Sequence, residues 1–199
     1  MNKELAARLA TLYQRMEQAY DTCAKEAGLS CSGCETNCCT SFFQHHTYSE
    51  WLYLWQGVRT LPPQKRLAVL DRARAVVAAT HKAQAMGLPP QEMCPLNENG
   101  LCILYRYRLM ICRMHGTRNE VHNPDGTRRL FPGCQRFTHM YPPNAAAEQQ
   151  GCIIPTLNRT PFYQELAAIE LALRQSVRQP LPRVNMTLAE MLANGAPRV

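Results

Sequence analysis

Cys31-Ser32-Gly33-Cys34-Glu35-Thr36-Asn37-Cys38-Cys39 sets four cysteines within nine positions, and the rest of the chain is read outward from it. Two residues between Cys31 and Cys34 let one turn aim both sulfurs at a single ion, with Gly33 supplying the backbone freedom. A third sulfur, from Cys38 or Cys39, can close on the same centre. Neighbouring side chains point apart, so the other is expected to serve a second metal, bridge two metals, or pack beneath the site. Further along stand Cys94, Cys102, Cys112 and Cys134, each beside turn residues or arginine. The expected metal ligands are therefore Cys31, Cys34, Cys38, Cys39, Cys94, Cys102, Cys112 and Cys134. They suffice for two four-sulfur sites, or for one with supporting thiols. Zinc and an iron–sulfur cluster take the same thiolates, and spacing does not separate them.

Composition limits the alternatives. The chain has 199 residues, 46% of them hydrophobic and 19% charged, which is ordinary globular composition. Its apolar runs are short and broken by charges, so none approaches the ~20 residues of a membrane helix. The opening stretch MNKELAARLATLYQRMEQ scatters charges and lacks the uninterrupted apolar segment of a secretory leader. The cytoplasm is thus the expected compartment. Thiols stay reduced there, so ten cysteines point to metal binding rather than to disulfides. The net charge is +7, and between Arg106 and Arg136 seven arginines stand against only Glu120 and Asp125. A basic stretch of this kind can bind nucleic acid. Here it interleaves with Cys112 and Cys134, which favours charge compensation of thiolates over a nucleic-acid surface.

Periodicity predicts a mostly α chain in a single domain, residues 1–199, with helices packed around an irregular, cysteine-rich metal-binding centre and a small β-hairpin. Leu5, Leu9, Leu12, Met16 and Cys23 mark a helix over 2–27, stopped by Gly28. Thr47-x-x-Glu50 has capping-box form and opens a helix to about Gly57, carrying Trp51 and Trp55. Pro62-Pro63 opens a third, through Leu67, Leu70, Ala73 and Val77 to about Met86. Asn99-Gly100 supplies a positive-φ turn between Cys94 and Cys102. A short helix within 103–115 carries Cys112. A hairpin over 120–131 turns at Pro124-Asp125-Gly126, and Pro132-Gly133 then delivers Cys134. Thr160-Pro161 begins a strong helix to about Val177, and Thr187-x-x-Glu190 frames a last one before Gly195. Residues 31–136 form the cysteine-cluster core, with 1–28 and 160–199 as helical flanks.

The CxxC…CC cluster, followed by Cys94-Pro95-Leu96, Gly100-x-Cys102, Tyr105, Arg108, Cys112-Arg113 and Cys134, resembles the YkgJ-like cysteine-cluster family. That resemblance implies a zinc- or iron-chelating domain over residues 31–136, with a relation to flagellin lysine N-methylases. The chain departs from the family pattern in two places. Three residues rather than two precede the paired cysteines, and Arg108-Leu109 stands where the family has Arg-Pro.

Other readings compete at single residues. A redox CxxC at Cys31 and Cys34 would expect a βαβ setting, and the flanks here are helical. Cys23 belongs to an apolar helix face and Cys152 lies outside the block; both are expected to be structural. His45, His46 or His115 can complete a Cys₃His site, although such histidines more often rest on backbone or solvent. Trp51 and Trp55 are expected in the core, shielding the site. No phosphate-cradling glycine loop, no H-E-x-x-H and no nameable catalytic arrangement occurs. The expected function is a cysteine-ligated iron–sulfur protein of unassigned process. A structural zinc-binding interaction module and a methyltransferase-like enzyme are the alternatives. A protein partner is open, and no membrane is expected.

Overall fold

Leu5, Leu9, Leu12 and Met16 recur at three- and four-residue steps, and burying that stripe drives the first and longest helix. The computed structural model describes residues 1–32, 38–142 and 153–199. Its helices are α1 (Lys3–Glu26), α2 (Tyr48–Thr60), α3 (Pro63–Ala85), α4 (Met110–Met114), α5 (Gln135–Met140), α6 (Thr160–Gln175) and α7 (Leu188–Ala193). The strands are β1 (Asn97–Glu98), β2 (Leu101–Cys102), β3 (Arg118–His122), β4 (Arg128–Phe131) and β5 (Thr156–Asn158). Mostly α is therefore correct. The chain divides into two compact units, one of Met1–Ala6, Cys39–Leu109 and Glu170–Val199, the other of Ala7–Cys38 and Met110–Ile169.

In the first unit α3 lies along α7, and α2 meets a short turn at Tyr105–Tyr107. Thr47 caps α2 as its spacing predicts, its hydroxyl accepting the Glu50 amide at 3.2 Å. Thr187 and Glu190 close a full capping box on α7. The tryptophans expected in the core, shielding the site, are instead half-buried and cap a helix. Trp51 Nε1 donates to the Met191 and Gly195 carbonyls at 2.8 and 2.9 Å, and Trp55 Nε1 to Met191 at 3.0 Å. They satisfy carbonyls that the end of α7 leaves without helical partners. Buried Glu170 accepts the Ser49 amide and hydroxyl, each at 3.0 Å, and Arg174 Nε at 2.9 Å. A buried carboxylate is tolerated only with such partners.

The sequence placed the end of α2 near Gly57, whereas the helix runs on to Thr60. Gly57 is there for contact rather than for a stop. A Cβ at that position would stand 2.5 Å from the Tyr107 ring, which also packs on Tyr53 with centroids 5.2 Å apart.

In the second unit β3 pairs with β4 as the expected hairpin, with Glu120 opposite Leu130. The hairpin gains a strand that was not foreseen: β5 joins β3 in parallel, Asn119 opposite Leu157. Helix α5 follows directly after Cys134, whose sulfur accepts the Phe137 amide at its start. Buried Arg159 precedes α6, its Nε donating to Asn119 Oδ1 at 2.8 Å and its Nη2 to the Met114 carbonyl at 3.3 Å.

Gly57→Ala is expected to lower stability by roughly 1–3 kcal/mol through overpacking. That exceeds the gain of about 1 kcal/mol that alanine brings to a helix interior. Urea unfolding checks it: a midpoint at or above that of the parent would mean the Tyr107 ring moves aside without penalty.

Candidate metal centre

Three of the expected ligands, Cys31, Cys38 and Cys134, belong to the second unit. α1 ends in a Schellman motif: Gly28 takes φ +65°, Leu29 donates to the Ala24 carbonyl at 2.8 Å, and Gly28 to that of Lys25 at 3.1 Å. Ala24 and Leu29 join Ala27, Phe137 and Ile154 in an apolar cluster that also receives Tyr20, Cys134 and Tyr141. The reversal turns the chain directly into Ser30, Cys31 and Ser32. Arg136 holds that segment by donating to the Ser32 carbonyl at 2.9 Å.

Cys134 comes from the other side of the sequence. Its amide donates to the Gly116 carbonyl at 2.9 Å, and its sulfur accepts the Phe137 amide at 3.5 Å at the start of α5. Gly133 (φ +93°) makes this approach feasible, since a Cβ there would lie 2.6 Å from the Gly116 oxygen. The Tyr20 hydroxyl closes the group. Burial pushes its ionisation well above the ordinary phenol range, and the charges of Cys31 and Cys134, a hydrogen bond with Cys31 and the charge of Cys38 push the same way. Tyr20 therefore stays a neutral phenol beside three thiols. Sequence reasoning missed it, because a tyrosine one turn before Cys23 carries no motif signal.

The first unit holds another set. Cys39 lies in the short turn Cys38–Thr40, and its carbonyl accepts the Cys94 amide at 3.0 Å. Arg72, on α3, donates to the Pro95 carbonyl at 3.0 Å and to Glu98 Oε1 at 2.9 Å, fixing the segment after Cys94. The predicted turn exists, with Asn99 at φ 53° and Gly100 at φ 84°, and it returns the chain to Cys102. Burial raises the Cys102 thiol pKa and the neighbouring Cys39 charge adds to the effect; the Leu104 amide and Arg108 oppose it.

Cys112 sits half-buried on α4, as expected. Cys34, Gly33 and Cys152 lie outside the described residues. Cys23 is 6% exposed and faces Thr117, so it is a core thiol. Arg113 is buried over the Tyr13 ring at 4.5 Å and paired with Glu17 at 3.5 Å. Arg108 stacks 3.5 Å from the Tyr105 centroid, and its charge bears on the Cys102 thiol. His45 is buried and bridged through its backbone to Met186. Its Nδ1 makes no hydrogen bond among the described residues.

Among the described residues, no three His, Cys, Asp or Glu side chains stand in an arrangement that could hold a metal ion. The donors nonetheless suit one chemically: soft thiols, an apolar bed, and amides or a phenol directed at sulfur. Among the described residues no helix is long and apolar enough to cross a membrane. No family model, curated protein or solved structure matches the chain.

Two of the candidate histidines instead carry a pH dependence. Burial lowers the pKa of His45 below its ordinary 6.5, and burial with the Arg159 charge lowers that of His115 to about 4. Both are neutral when folded, while the unfolded chain takes up protons near pH 6.5. Stability is therefore expected to be complete above about pH 6.5 and to fall below it, by at most about 1.4 kcal/mol per pH unit for each histidine. The His115 share ends near pH 4. Urea midpoints taken from neutral to mildly acidic pH test this, and His115→Asn should flatten the profile. An unchanged slope in His115→Asn would remove that residue from the account.

Proposed function

We propose that this chain is a cysteine-ligated metal-binding protein whose centre is an iron–sulfur cluster. The reading is carried by the sequence, which spaces eight cysteines as ligands between Cys31 and Cys134, and is supported by the bearing of Cys31 and Cys134 on the Tyr20 phenol from segments about a hundred residues apart. Cys31 and Cys38 are exposed and Cys134 is half-buried, so they do not serve as small apolar side chains of the core. Cys34 would join them by its spacing from Cys31. Cys39, Cys94 and Cys102 are the thiols the first unit offers for a second centre. The likeness of residues 31–136 to YkgJ-like cluster proteins belongs to the same proposal.

The surroundings favour a cluster over zinc. Iron–sulfur centres prefer an apolar bed with hydrogen bonds to sulfur. Here the Phe137 amide donates to Cys134, the Leu104 amide to Cys102, and Ala24, Ala27, Leu29, Phe137 and Ile154 supply the bed. Such a cluster supplies one-electron chemistry when bound. The chain's own part is to hold the sulfurs, exclude water on the apolar side, and bring Arg108 and Arg136 near the thiol-bearing segments.

Protein purified without air is expected to be brown, to absorb broadly near ~400 nm, and to bleach with dithionite. Iron and sulfide analysis then counts one centre or two. Stoichiometric zinc in a colourless protein would replace the cluster by a structural zinc site. Neither metal, in a folded preparation with titratable thiols, would end the proposal. Cys31→Ala and Cys134→Ala are each expected to abolish metal retention. Cys23→Ala should keep its metal and lose about 1 kcal/mol or so of stability as a small core deletion.

A further inference from the structure

Met86, Leu88 and Met93 stand 64%, 53% and 41% exposed around the pair Pro89-Pro90, in the irregular segment that leaves α3. Single apolar side chains on a surface need no explanation, but three grouped over residues 86–93 make a patch. Both ends of the segment are fixed. α3 closes in a Schellman motif, Leu88 donating to the Ala83 carbonyl at 2.9 Å and Gly87, at φ +69°, to that of Gln84 at 3.0 Å. The Cys94 amide ties the far end to the Cys39 carbonyl at 3.0 Å. Between these anchors, residues 89–93 make no hydrogen bond among the described residues. A Cβ on Gly87 would meet nothing within 4 Å, so the segment stands clear where it leaves the helix.

The prolines decide the conformation that such a segment holds. Each ring fixes its own φ at about −65°, and a residue before proline is pushed into the extended region. Leu88 and Pro89 both precede a proline, so residues 88–90 are confined to the polyproline II region and make up one turn of it. That backbone has no internal hydrogen bonds, so its carbonyls remain open acceptors. Because the turn is preformed, little conformational freedom is lost on docking.

We propose that residues 86–93 are a recognition segment for a protein domain whose groove is lined by aromatic side chains, the chemistry that reads a polyproline II turn. The proline rings pack on the aromatic rings of the groove, and its indole or phenol donors take the Leu88 and Pro89 carbonyls. Met86 and Met93, on either side, offer polarizable thioethers suited to aromatic edges. None of these residues belongs to the proposed metal centre, so the two readings stand or fall separately.

Full-length protein labelled with carbon-13 at its methionine methyls is titrated with purified WW and EVH1 domains, whose grooves are aromatic. Ring currents are expected to move the Met86 and Met93 signals upfield, while the methyls of buried Met16, Met110, Met114 and Met191 keep their positions. The double substitution Pro89→Ala, Pro90→Ala keeps the apolar side chains but loosens the backbone, and is expected to weaken the response about tenfold. Leu88→Gln keeps both prolines, should also weaken it, and carries the test if the double variant does not fold; the buried methyl signals report folding in each. No movement of Met86 or Met93 at about 1 mM domain, or an undiminished response in the folded variants, would overturn the proposal. Movement that needs no domain, appearing when the protein alone is concentrated or when phosphatidylcholine vesicles are added, would assign the segment to a contact between copies or to a lipid surface and overturn it as well.

Discussion

The Gly116 carbonyl is the contact on which the second unit turns. It accepts the Cys134 amide, it lies under Gly133, and the residue that owns it leaves room for the Tyr20 hydroxyl. Two backbone segments can approach this closely only where neither carries a side chain. α1, through Tyr20, and α5, through Cys134, are both located from that point. The thiol-bearing loop after Gly28 then follows from the reversal that ends α1.

Much of the helical content was legible because its signals are local. The apolar steps in α1, the hydroxyl caps at Thr47 and Thr187, and the prolines in the first turns of α3 and α6 each act within a turn or two of where they stand. What the sequence concealed was decided at long range. β5 is three residues long, too short to show alternation, and exists because β3 offers it an edge. Gly57 looks like a helix end on intrinsic grounds, and the Tyr107 ring keeps it inside α2 instead.

The candidate site divides along the same line. Cys31, Cys102 and Cys134 could be named from turn chemistry around them. Tyr20 could not be named, since its meaning comes only from what lies opposite it. The arginine-rich stretch also reads differently in three dimensions. Arg113 lies over Tyr13, Arg118 donates to Thr156 and Arg128 to Glu120, so several of those charges are held by internal partners. A count of basic residues along a chain overstates the field its surface presents.

The two indoles that cap α7 give the protein a built-in optical asymmetry. The chain has two tryptophans, and both hydrogen-bond to carbonyls at the close of that helix. Intrinsic tryptophan emission is accordingly a local gauge of the unit that contains Cys39, Cys94 and Cys102. Tyrosine signals are shared, since Tyr48, Tyr53, Tyr105 and Tyr107 lie in that unit and Tyr13, Tyr20, Tyr141 and Tyr163 in the other, so indole emission alone singles out one half of the thiols in an unlabelled sample.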